Sequence, residues 1–99
     1  KIIQKSTYIT PINIIKEIMS QFDARFDDIE KVISLYKKIQ GKSEVLSRAR
    51  PQSVAAGLIR YYIIKQDKKI SMENFREKVN LSDLTINRIV REITRIIEN

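Results

Sequence analysis

Between Arg50 and Ile63 the chain carries one helical turn almost empty of side-chain bulk, Ala55-Ala56-Gly57, inside the apolar run Val54, Leu58, Ile59, Tyr62 and Ile63. A glycine inside a helix costs about 1 kcal/mol relative to alanine. Close approach of a second helix is the physical reason to place one there. Pro51 stands at the first helical position, where its missing N–H is no loss. This segment predicts a central buried helix with the rest of the chain gathered around it.

The rest of the chain has little material for anything else. Only two glycines and two prolines occur in 99 residues, too few for a hairpin-rich β fold. Apolar residues make up 42% and charged residues 31%, a balance that supports one modest core rather than disorder. The fold class expected is all-α: a five-helix domain over residues 10–99 behind a linker segment 1–9, its last two helices forming a helix-turn-helix.

The helix starts are chemically marked. Thr10 caps a first helix that has Pro11 at its first position and Ile9 stapled to Ile14, and that ends near Phe22. Asp27, with Glu30 three residues later, predicts the start of a second, and Gly41 supplies its left-handed stop. Residues 42–50 read as a polar, basic connection, with Val45 and Leu46 as anchors. Ser71 caps a short fourth helix, Met72 to Val79, with Ile70 stapled to Phe75, and Asn80 ends it. Ser82 caps the fifth helix, with Leu81 placed to staple onto Ile86.

In that fifth helix Ile86, Ile89, Val90, Ile93, Ile96 and Ile97 form the core-facing stripe. Leu84, Asn87, Arg88, Arg91 and Arg95 lie opposite. Leu84 is the odd member, an apolar side chain pointing away from the core. Such a residue touches thymine methyls in a recognition helix, beside an amide or guanidinium that reads base edges. Arg91 and Arg95 are spaced to reach phosphates further along. A solvated face would carry arginines in the same pattern. A second basic group comprises Lys37, Lys38, Lys42, Arg48 and Arg50. Gln52 and Ser53 sit near free N–H groups at the start of the third helix, a place for a phosphate, although a solubilising loop has the same composition. Asp23, Asp27, Asp28 and Glu30 read as caps and helix-dipole charges rather than a metal site.

The net charge of +7 favours a polyanionic partner, nucleic acid foremost. Without Cys or His there is no thiol nucleophile, zinc site or histidine base, and no phosphate loop is present. An enzyme is not expected, nor a cofactor, a membrane partner or a small-molecule substrate. An intracellular location fits the lack of cysteine. The start at Lys1 reads as a piece of a longer protein.

Arg50 to Ile64 resembles the S-P-x-S-V-A-A-A-A-I-Y helix of the second cyclin-like repeat of transcription factor IIB, and Leu81 to Arg91 resembles that repeat's V-x-x-V-T-I-R-x-x-Y-R recognition helix. Ile70 to Val79 matches the intervening helix in length and phase only. The amino-terminal helices agree in position. The resemblance implies a cyclin-like domain without catalysis. Such a domain binds double-stranded promoter DNA together with the TATA-binding protein and helps to recruit RNA polymerase. By motif position Leu84 matches the family's apolar base-contacting residue, and Thr85 and Ile86 match its Thr-Ile pair. Taken with the reading of the residues, Leu84, Thr85, Asn87 and Arg88 are expected at bases, and Arg48, Arg50, Gln52, Ser53, Ser82, Arg91 and Arg95 at phosphates. Asn87 stands where the family carries a base-reading arginine, which shifts preference from guanine towards adenine edges. Arg50 replaces the family's serine cap, and the family's zinc ribbon and first repeat are not in this sequence. The alternative is a protein-binding cyclin box that regulates a kinase or another partner without touching DNA, although the Lys and Glu pair of kinase-activating cyclins has no clear counterpart here. The implied location is the nucleus for a cellular eukaryotic protein, and the cytoplasm for an archaeal protein or one from a cytoplasmic DNA virus. The isoleucine- and lysine-heavy composition fits the AT-rich genome of a large DNA virus.

Overall fold

The computed structural model describes residues 11–22, 24–66, 75, 77 and 79–98, and among these there are helices and no strand. The helices are α1 (Pro11–Ser20), α2 (Phe26–Ile39), α3 (Glu44–Arg48), α4 (Pro51–Lys65) and α5 (Asp83–Glu98). Phe75, Glu77 and Val79 are helical as well, on the segment expected to precede α5. The Thr10 cap, the Ile9 and Ile70 staples, the Ser71 cap and Asp23 lie outside the described residues.

Helix α4 is the centre. Its residues Ser53 to Ile59 are buried without interruption, as are Tyr61 to Ile63. A helix buried on every side is one with neighbours on every side. Its largest interface is with α5 and the next with α1, while α2 packs on α1 and α4. Gly57 is what lets α5 lie so close: a Cβ there would stand 2.1 Å from Cγ2 of Ile89. From α5, Ile86, Ile89 and Ile93 enter the core. Phe75 and Val79 join them, and the Phe75 ring stacks on Phe22 with centroids 5.8 Å apart.

Two expectations need correcting. The connection 42–50 is not irregular: it contains α3, capped by Ser43, whose Oγ accepts the Leu46 N–H at 3.3 Å. Leu46 anchors it in the core, but Val45 is 47% exposed and anchors nothing. Helix α2 begins at Phe26, with Arg25 rather than Asp27 at the cap, and the Arg25 N–H donates to Asp28 Oδ2 at 3.3 Å. The Asp28 carboxylate also accepts the hydroxyl of Tyr62 on α4. The Arg25–Asp28 pair closes the first turn two residues earlier than the Asp27–Glu30 spacing predicts, and Tyr62 uses the other oxygen of the same carboxylate.

The chain reversals occur where the residue types allow them. Gly41 has φ 76° and Asn80 has φ 58°, both in the left-handed region that glycine and asparagine tolerate.

Candidate nucleic-acid interface

Asn80 turns the chain, and Ser82 restarts it: its Oγ accepts the Thr85 N–H at 3.3 Å and donates to Thr85 Oγ1 at 3.1 Å. That cap satisfies one of the unpaired donors at the start of α5. The preceding segment is bracketed from the other side. Gln52, in the first turn of α4, donates from Nε2 to the Val79 carbonyl at 2.8 Å. Core, cap and bracket together set the start of α5, because Ile86 packs immediately beyond.

With the isoleucine stripe buried, the opposite face of α5 is turned outwards. Leu84 is 82% exposed. Leu84, Thr85, Asn87, Arg88 and Arg91 line one depression in the surface, so the four expected base-reading residues and one expected phosphate contact lie side by side. Arg88 and Arg91 are exposed and make no ion pair among the described residues. Ser82, also exposed, sits at the edge of this face as the cap.

The other expected phosphate residues are placed differently. Arg95, on the same stripe one turn beyond Arg91, is paired with Glu92. Glu92 in turn accepts the Ser43 hydroxyl at 2.8 Å, so one carboxylate ties the start of α3 to α5 and holds an arginine along its own helix. The hydrogen bonds from Arg95 first, and from Ser43, hold the Glu92 carboxyl below its ordinary range, and the same bond raises Arg95. Arg48 is exposed and pairs with Glu44 at 3.5 Å within α3. Arg50 is exposed at the cap of α4. Neither lines the Leu84 depression. Gln52 is engaged with Val79, which makes it a brace for the turn rather than an unengaged phosphate ligand. Ser53 is buried at 7% exposure, so its hydroxyl is not on a phosphate-binding surface. The buried run of α4 begins at Ser53, directly after the exposed Pro51 and Gln52, which removes that residue from the surface position expected for it.

Sequence reasoning missed Glu92 and Ser43, whose contact spans 49 positions. Ser43 ahead of Glu44-Val45-Leu46 is a cap signal that would have exposed α3; nothing local marks its bond to Glu92. The carboxyl end of α5 is tied down in a similar way. Glu98 accepts the Tyr61 hydroxyl at 2.8 Å and pairs with Lys65, whose ammonium lies 5.6 Å from the Tyr61 ring centroid. Hydrogen bonds from Lys65 and then Tyr61 hold Glu98 below the ordinary carboxylate range.

Among the described residues no group of three or more His, Cys, Asp or Glu side chains is placed to hold a metal ion. No helix among them is long and apolar enough to cross a membrane. In comparisons with known proteins, no family model, curated protein or solved structure matches the chain.

Proposed function

We propose that this chain is a module of a general transcription-initiation factor that lays α5 in the major groove of promoter DNA, acts together with a TATA-binding protein and helps to recruit RNA polymerase. The observation behind the DNA-binding part is the company Leu84 keeps. An exposed leucine alone is ordinary. Here it opens a helix whose other face is locked in the core, and Asn87, Arg88 and Arg91 surround it. The major groove admits an α-helix, and its base edges offer a thymine methyl to Leu84, adenine N6 and N7 to Asn87 and guanine O6 and N7 to Arg88. Arg91 is one turn further along, where a helix leaving the bases meets the phosphates. The net charge of +7 supplies long-range attraction. The initiation-factor part draws on the resemblance of Arg50–Ile64 and Leu81–Arg91 to the transcription factor IIB repeat.

The test is a fluorescence-anisotropy titration with AT-rich promoter duplex, with and without TATA-binding protein, at two salt concentrations. Binding that falls steeply with salt and tightens with the partner is expected. Binding by duplex alone, unaffected by the partner, would remove the initiation-factor part. Absence of binding in both conditions would overturn the reading as a whole.

A further inference from the structure

We propose that the groove between α2 and the carboxyl-terminal half of α4 is a docking surface for an acidic amphipathic helix of a partner protein. Lys31, Leu35 and Lys38 follow one another at i, i+4 and i+7, so they form a single stripe along α2. Across the groove stand Tyr61, Tyr62 and Lys65 of α4. Half-buried Leu35 and the edges of the nearly buried Tyr61 and Tyr62 supply the groove's apolar part, between exposed Lys31 and Lys38 on α2 and exposed Lys65 on α4. Among the described residues no carboxylate lines the groove itself, and Glu98 reaches only its α4 side, through Tyr61 and Lys65. Lys31 and Lys38 make no ion pair among the described residues, whereas Lys65 is already partly neutralised by Glu98.

The tyrosine hydroxyls are not open to a ligand. Tyr61 donates to Glu98 and Tyr62 to Asp28. The groove therefore offers ring edges and aliphatic surface rather than hydroxyl donors. An apolar part between lysines matches a helix with leucine or phenylalanine on one face and glutamate or aspartate flanking it. A nucleic-acid backbone would engage the lysines but has no apolar face for that part. None of these residues lines the Leu84 depression, so the two surfaces are separate on the molecule.

The probe is a synthetic helix of about 15 residues with leucines on one face and glutamates beside them, titrated into the isotope-labelled protein by NMR. Saturable shifts centred on Lys31, Ser34, Leu35 and Lys38 of α2 and on Tyr61, Tyr62, Lys65 and Gln66 across the groove are expected. The Lys31→Glu/Lys38→Glu variant, whose substitutions are on exposed positions, should bind about tenfold more weakly, while Leu84→Ser binds the peptide unchanged. Absence of saturable binding, shifts centred elsewhere, or equal binding of a peptide of the same charge with scrambled leucines would overturn the proposal. Loss of duplex affinity in the double-lysine variant, with peptide affinity unchanged, would assign the groove to nucleic acid instead.

Discussion

Gly57 and Ile89 meet where α4 and α5 cross: a Cβ on Gly57 would lie 2.1 Å from Ile89 Cγ2 and 2.6 Å from Ile89 Cβ. A β-branched side chain cannot swing both atoms aside by rotation. Gly57→Ala therefore forces the helices apart or the isoleucine off its rotamer. Overpacking of this kind costs about 1–3 kcal/mol, against about 1 kcal/mol of helix propensity gained. A lower urea midpoint at unchanged m-value is expected. A stabilised variant would show that the approach is looser than the geometry states. Because α5 carries Leu84 and Arg88, duplex affinity should fall along with stability.

Leu84→Ser separates function from folding. At 82% exposure the leucine contributes little to the core, so stability should stay within about 0.5 kcal/mol. Duplex binding should weaken. Replacing thymine by uracil, which lacks the methyl group, should weaken the native protein and leave the variant unaffected. Equal sensitivity of the two proteins would take Leu84 out of base contact.

Glu92→Gln should move binding and stability in opposite directions. It frees Arg95 from its ion pair and removes a negative charge from the flank of the arginine stripe. Duplex affinity should rise and its salt dependence steepen, by about one counterion if Arg95 then reaches a phosphate. Thermal stability should fall, because the Ser43 hydroxyl loses a charged acceptor. An unchanged salt slope would place Arg95 away from the DNA.

Alkaline pH should destabilise this protein through its two buried tyrosines. Tyr61 and Tyr62 are raised from 10.0 to about 12, by burial first and then by their hydrogen bonds to Glu98 and Asp28. A phenol whose folded pKa is raised stabilises the fold below pH 10, and that contribution is lost as pH climbs from 10 towards 12. The urea midpoint should therefore hold up to about pH 10 and drop between about pH 10 and about pH 12. Tyr61→Phe, lacking one of the two phenols, should drop less. An identical drop in the variant would show that Tyr61 is not one of the groups responsible.

Gln52→Ala should loosen the turn ahead of α5. The lost bond to the Val79 carbonyl is worth about 0.5–1.5 kcal/mol. Amide exchange should quicken around Asn80 to Thr85 more than in α1 or α2. Uniform change across the helices would make Gln52 an ordinary surface residue.

Local chemistry determined much of this molecule directly from its sequence. Asn80 and Gly41 reverse the chain because few other residues accept a positive φ, and Ser82 caps α5 through an oxygen three residues from its donor. The isoleucine spacing from Ile86 to Ile97 picks the buried face of α5 and, by exclusion, turns Leu84, Asn87, Arg88 and Arg91 outwards. These signals act over one or two turns, so no partner element is needed to read them. Tertiary structure decided the rest. Helix α3 is too short for periodicity to reveal, and its hold on α5 depends on Ser43 meeting Glu92 49 positions away. The carboxylate that closes the first turn of α2 also receives Tyr62 from α4, and Arg95 is paired with a carboxylate that also serves α3. Ser53 was buried, and Gln52 engaged, only once α5 and the segment before it had packed against α4. Side-chain spacing states which face a residue is on; only the packed fold states what that face meets.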